Sequence, residues 1–303
     1  MHVLFMYVNQ EGGVSGYIDI VVNLFGPEEV AAGQTGFDIA FMEQVRMPQS
    51  MRGGVSMDDY LRIMDAAGVE HSLLVAVRAG DPRWRGSFEI PYDQVARWCA
   101  AHPDRFSGLA GADPTRGMEQ LQDLERAADL GFVGVHAYPH WFSLPPDAPR
   151  WYPIYAKCCE LDLPFMLQVG QNLIYQKDVR LPSVARPILL DQVAIDFPEL
   201  TLIGIHVGTP WADEMIAMAW KHEKVFIGID AYAPKHLAQP LIQYMNSYGS
   251  HKVMFGTDWP VIDPRRAVAE LEAHGLKPES FSRIMRGNAL RVFPSLAHRM
   301  GAS

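Results

Sequence analysis

The sequence predicts a single-domain α/β fold, the (β/α)8 TIM barrel. Three observations carry this expectation. Eight short apolar runs alternate with segments of helical periodicity, the runs are apolar on both faces, and 303 residues is an ordinary length for one such barrel. The runs are Tyr17–Asn23, His71–Val77, Phe106–Ala112, Phe132–Ala137, Pro164–Val169, Leu200–His206, Val225–Ala231 and Lys252–Asp258. A helix between successive strands returns the chain to the same end, so the strands pair in parallel, and parallel strands covered on both faces must be apolar throughout. An open doubly wound sheet would have fewer strands and often a glycine-rich phosphate turn. Neither G-x-G-x-x-G nor a Walker pattern occurs, so eight units favour closure.

Taken in order, the helical segments are Asp58–Gly68, Tyr92–Ala101, Met118–Leu130, Tyr152–Leu161, Arg186–Phe197, Glu214–His222 and Pro264–His274. In the first of them Tyr60, Leu61, Met64 and Ala67 form one apolar stripe and Gly68 supplies the stop. The first crossover is long. Residues 24 to 57, with Gly26, Pro27, Gly33, Gly36, Pro48, Gly53 and Gly54, exceed a plain connector and read as a lid over the barrel mouth. A second irregular stretch, His140–Arg150, follows the fourth strand. No second domain, low-complexity tract or repeat beyond the βα unit is visible, so residues 1–303 read as one domain.

Composition narrows the function. Hydrophobic residues make up 49% of the chain, enough for a large core, while the net charge of -9 argues against nucleic acid, whose affinity rests on cationic contacts to phosphate. No apolar stretch approaches the roughly 20 residues that span a bilayer. The start, MHVLFMYVNQEGG, lacks the basic beginning, apolar run and cleavage site of a secretory signal. Three cysteines, Cys99, Cys158 and Cys159, without zinc-site spacing fit a reducing compartment, and a cytoplasmic location is expected. The adjacent Cys158 and Cys159 read as buried or half-buried helix thiols, with reactivity as the alternative.

Seven segments, in order, carry a resemblance: MDAAGVEHSLL, AAHPDRFSGLAGADP, GFVGV, YAKCCELDLPFMLQVG, FPELTLIGIHVG, KVMFGTDWP and RGNALRVF. Together they resemble the amidohydrolase superfamily, in the amidohydrolase-related branch typified by aminocarboxymuconate-semialdehyde decarboxylase and γ-resorcylate decarboxylase. The fit runs from about residue 17 to residue 293. The resemblance implies a divalent metal held by a His-x-His ending the first strand, a His ending the fifth and an Asp ending the eighth, with a His ending the sixth as acid or base. It also implies a homo-oligomer. Here the first-strand motif falls on Val21 and Asn23 and the fifth-strand position on Gln168, while His206 and Asp258 are kept.

Three of the four implied ligands are therefore absent. Valine offers no donor, and the carbonyls of asparagine and glutamine are weak partners for a transition metal. The expectation is a site without a metal cofactor, in which His206 is general acid/base, Asp258 its charged partner, and His136, ending the fourth strand, a third catalytic candidate. Asp230, ending the seventh strand, competes with Asp258 for the same task. Asn23 and Gln168 place amide donors where they could hold a substrate carbonyl or oxyanion. Arg78, following the second strand, is the best anion clamp, ahead of Arg46 and Arg52. Of Trp141, Trp211 and Trp259, the last adjoins Asp258 and is expected to line the pocket.

These residues imply a hydrolase or a non-oxidative decarboxylase acting on a small aromatic or unsaturated carboxylic acid, with neither nucleic acid nor membrane as partner. Two alternatives stand beside it. One is a metal-dependent hydrolase whose ion, such as zinc, has relocated to His136, His206 and Asp258. The other is a barrel without catalysis that binds a ligand.

Overall fold

The structure, a computed structural model, describes residues 16–33, 35, 39–81, 87–173 and 180–300; the stretch read for a leader and Gly36 lie outside the described residues. Eight strands follow one another in a single parallel sheet: β1 (Tyr17–Val22), β2 (Val69–Ala76), β3 (Phe106–Ala112), β4 (Gly134–Ala137), β5 (Phe165–Gln168), β6 (Leu202–Ile205), β7 (Val225–Gly228) and β8 (Val253–Met254). Their residues are almost wholly buried, as expected of strands covered on one side by helices and filled on the other by side chains. The TIM barrel read from the sequence is the fold observed.

The barrel helices are α1 (Met57–Ala67), α2 (Tyr92–Ala101), α3 (Met118–Asp129), α4 (Tyr152–Glu160), α5 (Leu190–Asp196), α6 (Ala212–Lys221), α7 (Gln239–Met245) and α8 (Pro264–Glu272). In α1 Tyr60, Met64 and Ala67 face the core; the Ser56 hydroxyl accepts the Asp59 N–H at the start, and Gly68, at φ 71°, ends the helix. The helix α7 was not expected from the sequence. The long first crossover carries short helices at Pro27–Ala31 and Ile39–Gln44.

Closure is made across β1 and β8. The Ile20 N–H donates to Phe255 O at 3.2 Å, the Asp258 N–H to Val21 O at 3.0 Å, and the Asn23 N–H to Trp259 O at 2.8 Å. The buried Asp19 carboxylate adds a side-chain clasp: Oδ1 accepts the Thr257 N–H at 3.0 Å and Oδ2 the Thr257 hydroxyl at 2.6 Å. Burial nevertheless pushes the Asp19 carboxyl up to about 7.

After β2 the chain forms a small antiparallel hairpin, Arg78–Ala79 with Phe88–Glu89. Here Arg78 departs from expectation. Its side chain is 5% exposed and lies over the Tyr92 ring at 4.4 Å. One guanidinium nitrogen donates to Gln120 Oε1 at 2.8 Å, another to Asp123 Oδ2 at 2.7 Å, and Nε lies 3.5 Å from Glu89. Arg78 joins the hairpin to α3 and is no anion clamp. Replacing it leaves Asp123 without its paired guanidinium, while Glu89 keeps Arg116. Arg78→Met is expected to lower the unfolding free energy by about 3 kcal/mol, taking the low end because Asp123 and Glu89 keep some solvent. Urea denaturation measures this, and a loss below about 1 kcal/mol would show the network to be dispensable.

Candidate active site

The carboxyl ends of the strands open into a cavity of about 680 Å³, counting its mouth to solvent. Aromatic and aliphatic groups wall it: Phe25 and Val45 from the first crossover, Phe88 from the hairpin, Tyr138 and Trp141 beyond β4, Leu173 beyond β5, and Val261 beyond β8. The polar groups are Asn23, Gln168, Gln171, Asn172, His206, Tyr232 and Asp258. Gly170 makes part of this possible. It sits at φ 98°, and a Cβ there would lie 2.4 Å from Thr209 O, so glycine lets the β5 loop dock and the Gln171 N–H donate to that carbonyl at 2.7 Å.

At the floor, His206, Asp230 and Asp258 each turn one ligand-type atom to within 4.8 Å of the others. His206 Nε2 lies 3.4 Å from Asp230 Oδ2 and 3.6 Å from Asp258 Oδ2, near enough to interact but hydrogen-bonded to neither. The opposite oxygens are anchored. Asp230 Oδ1 accepts the His206 backbone N–H at 2.9 Å, and Asp258 Oδ1 accepts Asn23 Nδ2 at 2.7 Å. Asn23 Oδ1 in turn accepts the Tyr138 hydroxyl at 2.9 Å. Each carboxylate is thus fixed by one oxygen and offers the other.

Backbone strain gathers at the same place. His206, Val207, Ala231 and Asp258 all have positive φ, between 53° and 65°, at the ends of β6, β7 and β8. That region is costly for residues with a Cβ, and most so for β-branched Val207. Burial pushes Asp258 well above the usual carboxylate range, with Asp230 adding to the shift, and pushes Asp230 up to about 7. Burial also pushes the His206 imidazole down to about 3. Each group is driven toward its neutral form because burial outweighs the hydrogen bonds from Asn23 to Asp258 and from the His206 N–H to Asp230.

The predicted residues distribute unevenly. Asn23, Gln168, His206 and Asp258 meet at the cavity, and Asp230 lies directly behind His206. His136 is buried beneath, its ring 4.4 Å from that of Tyr138 and both ring nitrogens without a partner. It is not in the three-residue cluster, so the relocated set of His136, His206 and Asp258 is corrected: Asp230 takes the place given to His136. Trp259 is also corrected. It is fully buried against Tyr60, ring centroids 5.1 Å apart, while Trp141 lines the cavity. Trp211 lies under the Arg186 guanidinium. Arg52 donates to Met47 O and lies 3.6 Å from Glu43, and neither it nor Arg46 lines the cavity. Asn23 spends its carbonyl oxygen on Tyr138 and one amide hydrogen on Asp258, so its second amide hydrogen is what it can offer the cavity it lines. Tyr138 was missed, although it follows His136 by two and so shares its side of the strand.

A divalent cation fits the cluster. The two carboxylate oxygens are suitable donors, Asp230 Oδ2 is a buried polar atom left unbonded, and the unbonded His206 Nε2 stands beside them in the same cluster. A positive ion would reverse the charge penalty that burial imposes on both aspartates.

Comparison with known proteins follows the same line. A γ-resorcylate decarboxylase of Rhodococcus jostii (strain RHA1) is 27% identical over 296 residues, spanning 78% of this chain and 87% of that protein. An uncharacterized TIM-barrel protein of Bordetella bronchiseptica matches in structure at TM-score 0.75 and 23% identity, over 92% of this chain and 99% of that one. A dihydroxybenzoic acid decarboxylase of Polaromonas sp. JS666, solved with bound manganese and 2-nitroresorcinol, matches at TM-score 0.68 and 21% identity, over 93% and 97%. With the His206–Asp230–Asp258 group, the manganese in that structure overturns the expectation of a site without metal. The expectation failed because the missing ligands were counted strand by strand, whereas β7 supplies a carboxylate. The amidohydrolase family pattern matches residues 44–295, and the chain belongs to the amidohydrolase family of enzymes.

Proposed function

We propose that this enzyme is a divalent-metal-dependent lyase that removes carbon dioxide from a small phenolic acid of the dihydroxybenzoate kind. The observation that carries the reading is the unbonded His206–Asp230–Asp258 group beneath a cavity walled by aromatic rings. The γ-resorcylate decarboxylase relative supports the reaction class. Asp230 and Asp258 would hold the ion through their Oδ2 atoms, the oxygens that face His206 Nε2. When bound, the ion supplies positive charge for the oxygens of an anionic substrate.

The chain's own groups do the rest. Phe25, Phe88, Tyr138 and Trp141 present ring edges and faces that fit a flat substrate and keep water from the reacting carbon. Gln168 and Gln171, on the β5 side, stand where ring hydroxyls can be hydrogen-bonded. Gln171 Nε2 donates to the Tyr232 hydroxyl at 3.3 Å, which steadies that wall. The bond between the ring and its carboxylate breaks once that ring carbon has taken a proton. The electron pair of the broken bond returns to the ring, and carbon dioxide leaves. His206 Nε2 faces the cavity floor unbonded and moves this proton. His136, its imidazole held down to about 3 by burial, lies beneath with both ring nitrogens unbonded. The first crossover, which contributes Phe25 and Val45, acts as the lid.

Enzyme purified with Mn²⁺ is expected to convert 2,6-dihydroxybenzoate to resorcinol and carbon dioxide, to lose turnover after chelation, and to regain it with Mn²⁺. Undiminished turnover in protein shown by elemental analysis to hold no metal would overturn the metal requirement. His206→Gln is expected to lower kcat by about 100-fold or more while Mn²⁺ binding changes only a few-fold. Wild-type kcat in that variant would remove His206 from proton transfer.

A further inference from the structure

Asp258 and Asp230 are anchored by different means. Asp230 is held by the His206 backbone N–H, a donor the β6 turn provides without any side chain. Asp258 depends on a side-chain amide from the opposite side of the β1–β8 seam, Asn23 Nδ2, at 2.7 Å. An amide can turn either its donor or its acceptor end toward a neighbour; an ionised carboxylate only accepts, which points Nδ2 at Asp258 and leaves Oδ1 for a second partner. That partner is the buried Tyr138 hydroxyl, 2.9 Å from Asn23 Oδ1, on β4's continuation. A hydroxyl that donates to Oδ1 leaves Nδ2 for the carboxylate.

We infer that Tyr138 and Asn23 form a positioning relay that fixes the Asp258 carboxylate, so that Oδ1 is occupied and Oδ2 alone is offered to the cation of the site. The inference rests on the metal reading above and deepens it. Two features support it. Every link is at least nine-tenths buried in the cavity wall, where low local dielectric strengthens a chain of hydrogen bonds. And Asp258 stands at φ 53°, so its own backbone sits in a costly well and needs an external hold to keep the carboxylate in place. Asn23, which stands where the family resemblance implies a metal ligand, thereby becomes a support for one. Groups that orient ligand side chains commonly set metal affinity by 10- to 100-fold.

The relay predicts coupling. Manganese titration of the metal-free full-length protein, followed by the electron paramagnetic resonance of free Mn²⁺, reads affinity without reference to turnover. Asn23→Leu is expected to weaken Mn²⁺ binding about 10-fold or more. Tyr138→Phe is expected to weaken it about 3- to 10-fold. The double variant is expected to match Asn23→Leu alone, because the phenol acts only through the amide. The thermal midpoint of metal-free Tyr138→Phe should stay close to wild type, since only a hydroxyl is lost. Tyr138→Phe binding Mn²⁺ as wild type does, or effects that multiply in the double variant, would overturn the relay and leave the metal reading standing. A wild-type protein that binds no Mn²⁺ would overturn both.

Discussion

The site depends on closure of the barrel between its first and last strands. Asn23 follows β1 and Asp258 follows β8, 235 positions apart, and they meet only because those strands are neighbours. The seam is narrow: β8 contributes two residues to the regular ladder, and the chain beyond it is held to β1 by single backbone bonds. The Asp19 carboxylate compensates by accepting both the N–H and the hydroxyl of Thr257. A buried carboxyl in that position is costly, and the local backbone is secured in return one residue before Asp258. The precision of the floor is therefore inherited from the seam beneath it.

Above the seam the protein accumulates features that stability alone would remove. Four residues with a Cβ occupy the left-handed region at three successive strand ends. Two carboxylates sit in contact range of one imidazole, with burial opposing the charge of all three. Structural ion pairs look different: Arg78 with Asp123, or Arg116 with Glu89 and Asp113, are hydrogen-bonded between opposite charges. Two buried carboxyls that each leave one oxygen facing an unbonded imidazole, on strained backbone, mark a place shaped for function.

Much of the fold was legible because its signal is local. A buried parallel strand must be apolar on both faces, and a barrel helix must alternate, so eight runs and seven helices could be read directly. The helix α7 escaped because its start, Gln239–Pro240, and its seven-residue length give little periodicity. Side-chain destinations were less legible. Arg78 ends a strand at the mouth, yet its partners Glu89, Gln120 and Asp123 lie 11 to 45 positions away and turn it aside. Trp259 follows Asp258 immediately, but the chain turns at Asp258, at φ 53°, and the Trp259 ring packs against Tyr60. Trp141, by contrast, reaches the cavity from the short helix Pro139–Phe142, which strand positions do not reveal.

Metal sites are conserved as sets of donors in space, and position along the chain is only a guide to them. The resemblance placed donors on β1 and β5, where this sequence has valine, asparagine and glutamine, and counting those losses pointed to an empty cage. In three dimensions the strand ends converge, so a carboxylate on β7 reaches the same hollow. A donor amide at Asn23 suits this arrangement, because Asp258 on its strained backbone turns Oδ2 toward His206 and has its other oxygen held by Asn23 Nδ2.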